Sequence, residues 1–139
     1  MIENASDLAE YDGKIIQVGN EKFEFHIMHE RGPSYAYVDC SFRRIEGTGS
    51  SPVFWATPYY YRLENDERKY ITALTTDIFG KKIVVSDKKF RNAEEYFSKV
   101  TKAIKAYNEG YYSEGIKEIP WMMNPNLAYN ERIFGAEWR

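Results

Sequence analysis

The spacing of the apolar residues changes near Asn92, and this change constrains the fold more than any other feature. After it, apolar side chains recur three and four residues apart, which is typical of a helix with one buried face. Asn92 and Glu95 predict the capped start of this helix, and Gly110 predicts its end. The predicted buried stripe consists of Ala93, Tyr96, Phe97, Val100, Ala103, Ile104 and Tyr107.

About six strand segments precede this helix, and no helical segment separates them. Gly19-Asn20 predicts the turn of a hairpin, and Gly32-Pro33 predicts a second turn that completes an N-terminal meander. Pro58 indicates an edge or a break within the fourth segment, because proline cannot donate to a sheet. The predicted strands cover residues 15–18, 23–27, 35–43, 53–63, 69–76 and 81–87.

The order of these elements favours an α+β fold, in which an antiparallel sheet is followed by C-terminal helices. Asn124, Pro125 and Gly135 predict a second, short helix after the long one. With 139 residues, the chain suits a single domain over 1–139.

Composition restricts the partners of the chain. A net charge of −2 argues against binding to duplex nucleic acid, which requires many cations. No apolar run is long enough for a membrane span, and no apolar secretory segment lies at the N-terminus, so we expect a cytoplasmic protein without a membrane partner. Cys40 is the only cysteine, and its place in an apolar alternation predicts a buried thiol rather than a nucleophile or zinc ligand.

Aromatic residues make up 17% of the chain, and 12 of them are tyrosine. Exposed tyrosine is favoured at interaction surfaces because it offers a large, stiff ring with a polar tip. In the strand after Gly32, Ala36, Val38, Cys40 and Phe42 would form an ordinary apolar face. The opposite face would carry Tyr35, Tyr37, Asp39, Ser41 and Arg43.

The run Tyr35-Ala36-Tyr37-Val38 resembles the centre of the RNA-recognition-motif signature, in which alternate aromatic residues stack on bases. The match ends there, because Cys40 stands where the last aromatic residue should be. That family also requires a helix between its first two strands, where this chain has only Gly19-Asn20. We therefore expect stacking by the two tyrosines without membership of that family.

The predicted ligand-binding residues combine aromatic rings with arginine. Tyr35 and Tyr37 would stack on a planar ring, and Asp39 would accept a hydrogen bond from a ribose hydroxyl. Tyr60 and Arg62 form a second aromatic and cationic pair in the run Tyr-Tyr-Tyr-Arg. Arginine suits phosphate because its planar fork matches two phosphate oxygens. The residues predicted to hold phosphate are Arg31, Arg43 and Arg62.

No catalytic, cofactor or metal site is predicted. His26 and His29 would lie on opposite faces of a strand, which disfavours a shared metal. If the second and third strands pair, Glu24 and His26 share the face of Tyr35 and could act in acid-base chemistry, but no nucleophile accompanies them.

The sequence thus favours a non-catalytic, homo-oligomeric protein that captures a small anionic ligand, such as a nucleotide or a nucleotide-derived signal. Small proteins of this architecture include viral proteins that sequester a nucleotide signal of the host. One alternative is an inhibitor or adaptor that docks on a macromolecular partner, and a second is a small enzyme.

Overall fold

A computed structural model describes residues 1–2, 5–32, 35–48, 53–62, 65, 67–76 and 82–110. It describes the backbone alone at residues 29–32, 35–37, 59–62, 68–69 and 82. The short helix that the sequence predicts near Asn124 lies outside the described residues.

The described residues form seven strands, the helix α1 (Ala93–Asn108) and a short 3₁₀ helix (Ala5–Tyr11) that the sequence analysis did not predict. The strands are β1 (Ile15–Val18), β2 (Glu21–Gly32), β3 (Tyr35–Glu46), β4 (Val53–Trp55), β5 (Tyr59–Arg62), β6 (Arg68–Thr75) and β7 (Lys82–Ser86).

All strand pairs are antiparallel, and the strands follow the order β1-β2-β3-β4-β6-β5, with β7 also pairing with β6. Thr75 pairs with Trp55 on one side and with Lys82 on the other, so β4 and β7 occupy opposite edges of β6. The helix α1 contacts both β1 and β7, and the sheet therefore curls around it. The predicted α+β fold with an N-terminal meander is confirmed.

The fourth predicted strand is in fact two strands, because the sheet is interrupted at residues 56–58. The amide of Cys40 donates to the side-chain hydroxyl of Thr57 at 3.0 Å, which replaces a backbone partner. Pro58, which is fully buried, has no N–H to donate to a ladder. The break expected at Pro58 is confirmed, and it separates β4 from β5.

The ends of α1 follow the sequence closely. The side chain of Asn92 accepts a hydrogen bond of 2.9 Å from the amide of Glu95, which is the expected N-cap. At the other end, Gly110 has a φ of 89° and its amide donates to the carbonyl of Tyr107 at 3.0 Å. Among the described residues, no helix has both the length and the apolar character required to cross a membrane.

The core between α1 and the concave face of the sheet is mostly aromatic. Phe97 packs edge-to-face on Phe25, with ring centroids 5.0 Å apart, and Tyr96 packs on Phe42 at 6.2 Å. Phe90 contacts Tyr96 from the chain segment before the helix. The helical stripe therefore covers the face of the sheet that carries Phe25 and Phe42.

Candidate functional site

The candidate site lies on the face of the sheet that points away from α1, which we call the outer face. Successive strand residues point to opposite faces. Cys40 and Phe42 lie in the core under the helix, so Asp39, Ser41 and Arg43 belong to the outer face. Asp39 and Ser41 are buried there, whereas Arg43 is exposed.

Two rows of directly paired residues cross the outer face from one strand to the next. Such residues have Cβ atoms about 4.5–5.5 Å apart. The first row is Ile15, Glu24, Arg43 and Val53. The second row is His26, Ser41, Trp55 and Thr75. The outer face thus brings charged, hydroxyl and aromatic side chains together at the centre of the sheet.

The register of the β2–β3 hairpin places some of the predicted site residues together. Tyr35 pairs with Gly32 and Tyr37 pairs with Glu30, in the same phase as the pair of Asp39 with Met28. Tyr35, Tyr37, Asp39 and Arg43 therefore share the outer-face phase of β3. This register also confirms that His26 shares their phase, as the sequence analysis expected for paired strands.

The other predicted site residues occupy the opposite phase. Arg31 pairs with Ala36, which alternates with Tyr35 and Tyr37. In β5, Tyr60 pairs with Tyr70. Within β6, Tyr70 is out of phase with Thr75, which is the outer-face partner of Trp55. Tyr60 is therefore also out of the outer-face phase. Arg62, which pairs with Arg68, lies two residues after Tyr60 and therefore shares its phase. The register thus leaves Arg31, Tyr60 and Arg62 out of the phase of Tyr37.

Asp39 is held inside the outer face by the segment between β4 and β5. The hydroxyl of Thr57 lies 3.4 Å from Oδ1 of Asp39 and also accepts the amide of Cys40. Only 5% of Asp39 is exposed. A ligand on this face could therefore reach only the rim of the carboxylate.

Arg43 is the exposed cation of the outer face. Its cross-strand neighbour Glu24 is engaged elsewhere, because Oε1 of Glu24 lies 2.6 Å from Nε2 of His26. In the described part of the chain, no carboxylate lies within ion-pair distance of Arg43. Its side chain is exposed to solvent.

His26 lies between two carboxylates. Its Nε2 contacts Glu24, and its Nδ1 lies 3.7 Å from Oδ1 of Asp12, which also accepts the amide of Ile27 at 3.0 Å. This arrangement holds the imidazole ring in place. It also brings Glu24 and His26 into contact on the outer face.

Trp55 is an outer-face residue that the sequence analysis missed. It is partly exposed, pairs directly with Ser41 and lies diagonally across from Arg43. The alternation of Val53, Trp55 and Thr57 against buried Phe54 could have placed it on this face.

Cys40 is fully buried on the core side of β3, as the sequence predicts. Burial, and secondarily the charge of Asp39, raises the pKa of this thiol far above its usual range. His26 and His29 lie in opposite phases of β2, as expected. Within the described ranges, no three potential metal ligands cluster together.

Comparisons with protein families, curated proteins and solved structures find no match to this chain. Its function must therefore be argued from the outer face itself.

Proposed function

We propose that the protein is a non-catalytic binding protein that captures a small anionic ligand on the outer face, and that this ligand is a nucleotide or a nucleotide-derived signal. The observation that carries the proposal is the exposed Arg43, which has no carboxylate partner among the described residues and shares its face with Tyr35 and Tyr37. An arginine beside aromatic residues combines phosphate binding with ring stacking.

The spacing along β3 limits how such a ligand would lie. A strand rises about 3.3 Å per residue, so Tyr37 is roughly 7 Å from Asp39 and roughly 20 Å from Arg43. A base on Tyr37 would place its ribose near Asp39 and direct its phosphates past Ser41. Only a ligand with several phosphates, or with a second nucleoside, spans the full distance to Arg43.

The proposed setting is a cytoplasmic homo-oligomer in which a second subunit borders the outer face. Ile15 and Met28 support it, because these outer-face side chains are 51% and 42% exposed at the margins of the site. Large apolar side chains beside a binding site suit a subunit boundary. A small protein that binds without turnover suits sequestration of a nucleotide signal, including by a virus.

A thermal-shift screen with mono-, di- and cyclic nucleotides tests the proposal. A ligand of the native state raises the melting temperature by mass action. We expect a shift for the wild type, a smaller one for Tyr37→Ala and for Arg43→Gln, and an unchanged one for the control Arg91→Gln, which alters an exposed arginine before α1.

The outcomes separate the claims. Equal shifts in the wild type and both site variants would refute the outer face as the binding site. The absence of any shift across the panel would refute nucleotide binding.

The exposed Ile15 and Met28 also favour a second candidate, an inhibitor or adaptor that docks on a macromolecule. In that case Met28→Asp would abolish capture of one specific protein while nucleotides gave no shift. An enzyme built on His26 and Glu24 would instead release a product in the same panel, and His26→Ala would stop its formation.

A further inference from the structure

We infer that Trp55, together with Arg43, forms a compact site for a nucleoside monophosphate on the outer face, with the base on the indole ring and the phosphate on the guanidinium. This inference rests on the proposed function. It replaces a ligand that extends along β3 from Tyr37 to Arg43 with a shorter ligand that lies across β3 and β4. Trp55, rather than Tyr35 or Tyr37, then stacks on the base.

The register supplies the geometry of this site. Arg43 pairs directly with Val53, and Trp55 follows two residues later on the same face of β4. Diagonal neighbours of this kind have Cβ atoms about 7–8 Å apart, a distance that long and aromatic side chains bridge. A single ribose separates the base from the phosphate of a nucleoside monophosphate, so a monophosphate suits this spacing better than the roughly 20 Å between Tyr37 and Arg43.

The two side chains are also free to act. The side chain of Trp55 has no hydrogen-bond or ring partner among the described residues, and it is partly exposed. Indole offers a large face for base stacking, and that contact tolerates any base. Stacking on Trp55 would therefore provide affinity without requiring a base-specific contact.

No carboxylate of the described residues lies within ion-pair distance of Arg43. Glu24, its directly paired cross-strand neighbour, instead lies 2.6 Å from Nε2 of His26. Ser41, directly opposite Trp55, is buried and forms the floor of the face between the two side chains. Arg43 can then hold two phosphate oxygens at once.

The test is calorimetric titration of the wild type with adenosine and guanosine monophosphates and with the corresponding nucleosides. Trp55→Leu removes the stacking ring, Trp55→Phe keeps an aromatic face, and Arg43→Gln removes the charge. Arg91→Gln, which alters an exposed arginine before α1, is the matched control for Arg43→Gln, and a thermal melt without ligand confirms that each variant folds.

We expect Trp55→Leu to weaken monophosphate binding by about tenfold or more, and Trp55→Phe to restore most of the loss. Arg43→Gln should weaken the monophosphate to the level of the nucleoside and leave nucleoside binding unchanged, since only the phosphate contacts Arg43. Arg91→Gln should bind like the wild type.

Nucleotide binding that survives Trp55→Leu but is lost in Tyr37→Ala would overturn this inference and leave the proposed function standing. Preference for triphosphates or dinucleotides over monophosphates would also overturn it, because the compact site would then be too short. Failure of every nucleotide to bind the wild type would overturn the proposed function itself.

Discussion

The hydroxyl of Tyr96 donates a hydrogen bond of 2.6 Å to the carbonyl oxygen of Ala56, which joins α1 to the break between β4 and β5. Burial raises the pKa of this hydroxyl, so it stays protonated and remains a donor. Thr57 follows Ala56 and contacts Asp39 on the outer face. A core tyrosine therefore supports the backbone segment that presents Trp55 and Thr57.

Tyr96→Phe should lower the free energy of unfolding by about 1–3 kcal/mol, because it leaves the buried carbonyl of Ala56 without its donor while keeping the ring. Urea unfolding measures the change. Tyr11→Phe is the matched control, since its ring also packs on Phe97 and its hydroxyl has no partner among the described residues. Equal losses in the two variants would contradict a role for the Tyr96 hydrogen bond.

Cys40 should be unreactive in the native protein. Its thiol is fully buried, and its raised pKa leaves almost no thiolate at pH 8. We expect a thiol reagent to label Cys40 at a rate that rises steeply across the urea transition and becomes complete in the unfolded chain. Rapid labelling without urea would show that β3 opens locally, contrary to its place in the core.

The elements that the sequence predicts correctly carry strong local patterns. The helix α1 has a cap, a buried stripe and a terminal glycine that agree, and the hairpin at Gly19 has both a turn residue and alternating strands. The 3₁₀ helix lacks such a pattern. It follows Ile2, whose amide pairs with the carbonyl of Phe90 far along the chain, and sequence periodicity does not reveal such a contact.

The candidate site could be predicted only in part. Alternation along β3 placed Asp39 and Arg43 on one face without knowledge of the fold. The phase of Arg31 depends on the hairpin register, which pairs it with Ala36, and one residue of slip would reverse the assignment. Trp55 joins Arg43 only because β4 pairs with β3, and alternation within either strand does not specify which residues of the two strands pair.

Glu95 should make stability depend on pH at acid values. Hydrogen bonding from Arg91 lowers the pKa of the Glu95 carboxyl in the folded protein. Because the folded pKa lies below the unfolded one, the stabilisation is present above the unfolded pKa and is lost as pH falls through the folded pKa. Thermal melts of the wild type and Glu95→Gln should differ at pH 7 and converge at acid pH.

Glu94→Gln is the control for this profile, because Glu94 is exposed in the same helical turn. It should leave the pH dependence of the melting temperature close to that of the wild type. A Glu95→Gln profile that stayed parallel to the wild-type profile down to pH 2 would contradict the contribution of the Arg91 contact.

Gly47 should tolerate alanine less well than the other three glycines whose surroundings the structure describes, which are Gly13, Gly19 and Gly110. Its φ is 115°, which strains any other residue, and an added Cβ would lie 2.6 Å from Cγ of Glu21. Glu21 cannot move freely, because Oε2 lies 2.6 Å from Nε of Arg44 and Oε1 accepts from the side chain of Asn108 at 3.1 Å. The substitution would therefore disturb the contact between the sheet and the end of α1.

Gly13→Ala is the matched control, because Gly13 has a φ of 91° and open space around its added Cβ. We expect a loss of about 1–3 kcal/mol from backbone strain in Gly13→Ala, and a further loss of about 1–3 kcal/mol from overpacking in Gly47→Ala. In a Glu21→Ala background the further loss should shrink, because the atom that clashes is gone. Urea unfolding of these variants measures the loss from backbone strain and the loss from overpacking. If Gly47→Ala lowered the free energy of unfolding no more than Gly13→Ala, the predicted contact with Glu21 would be ruled out.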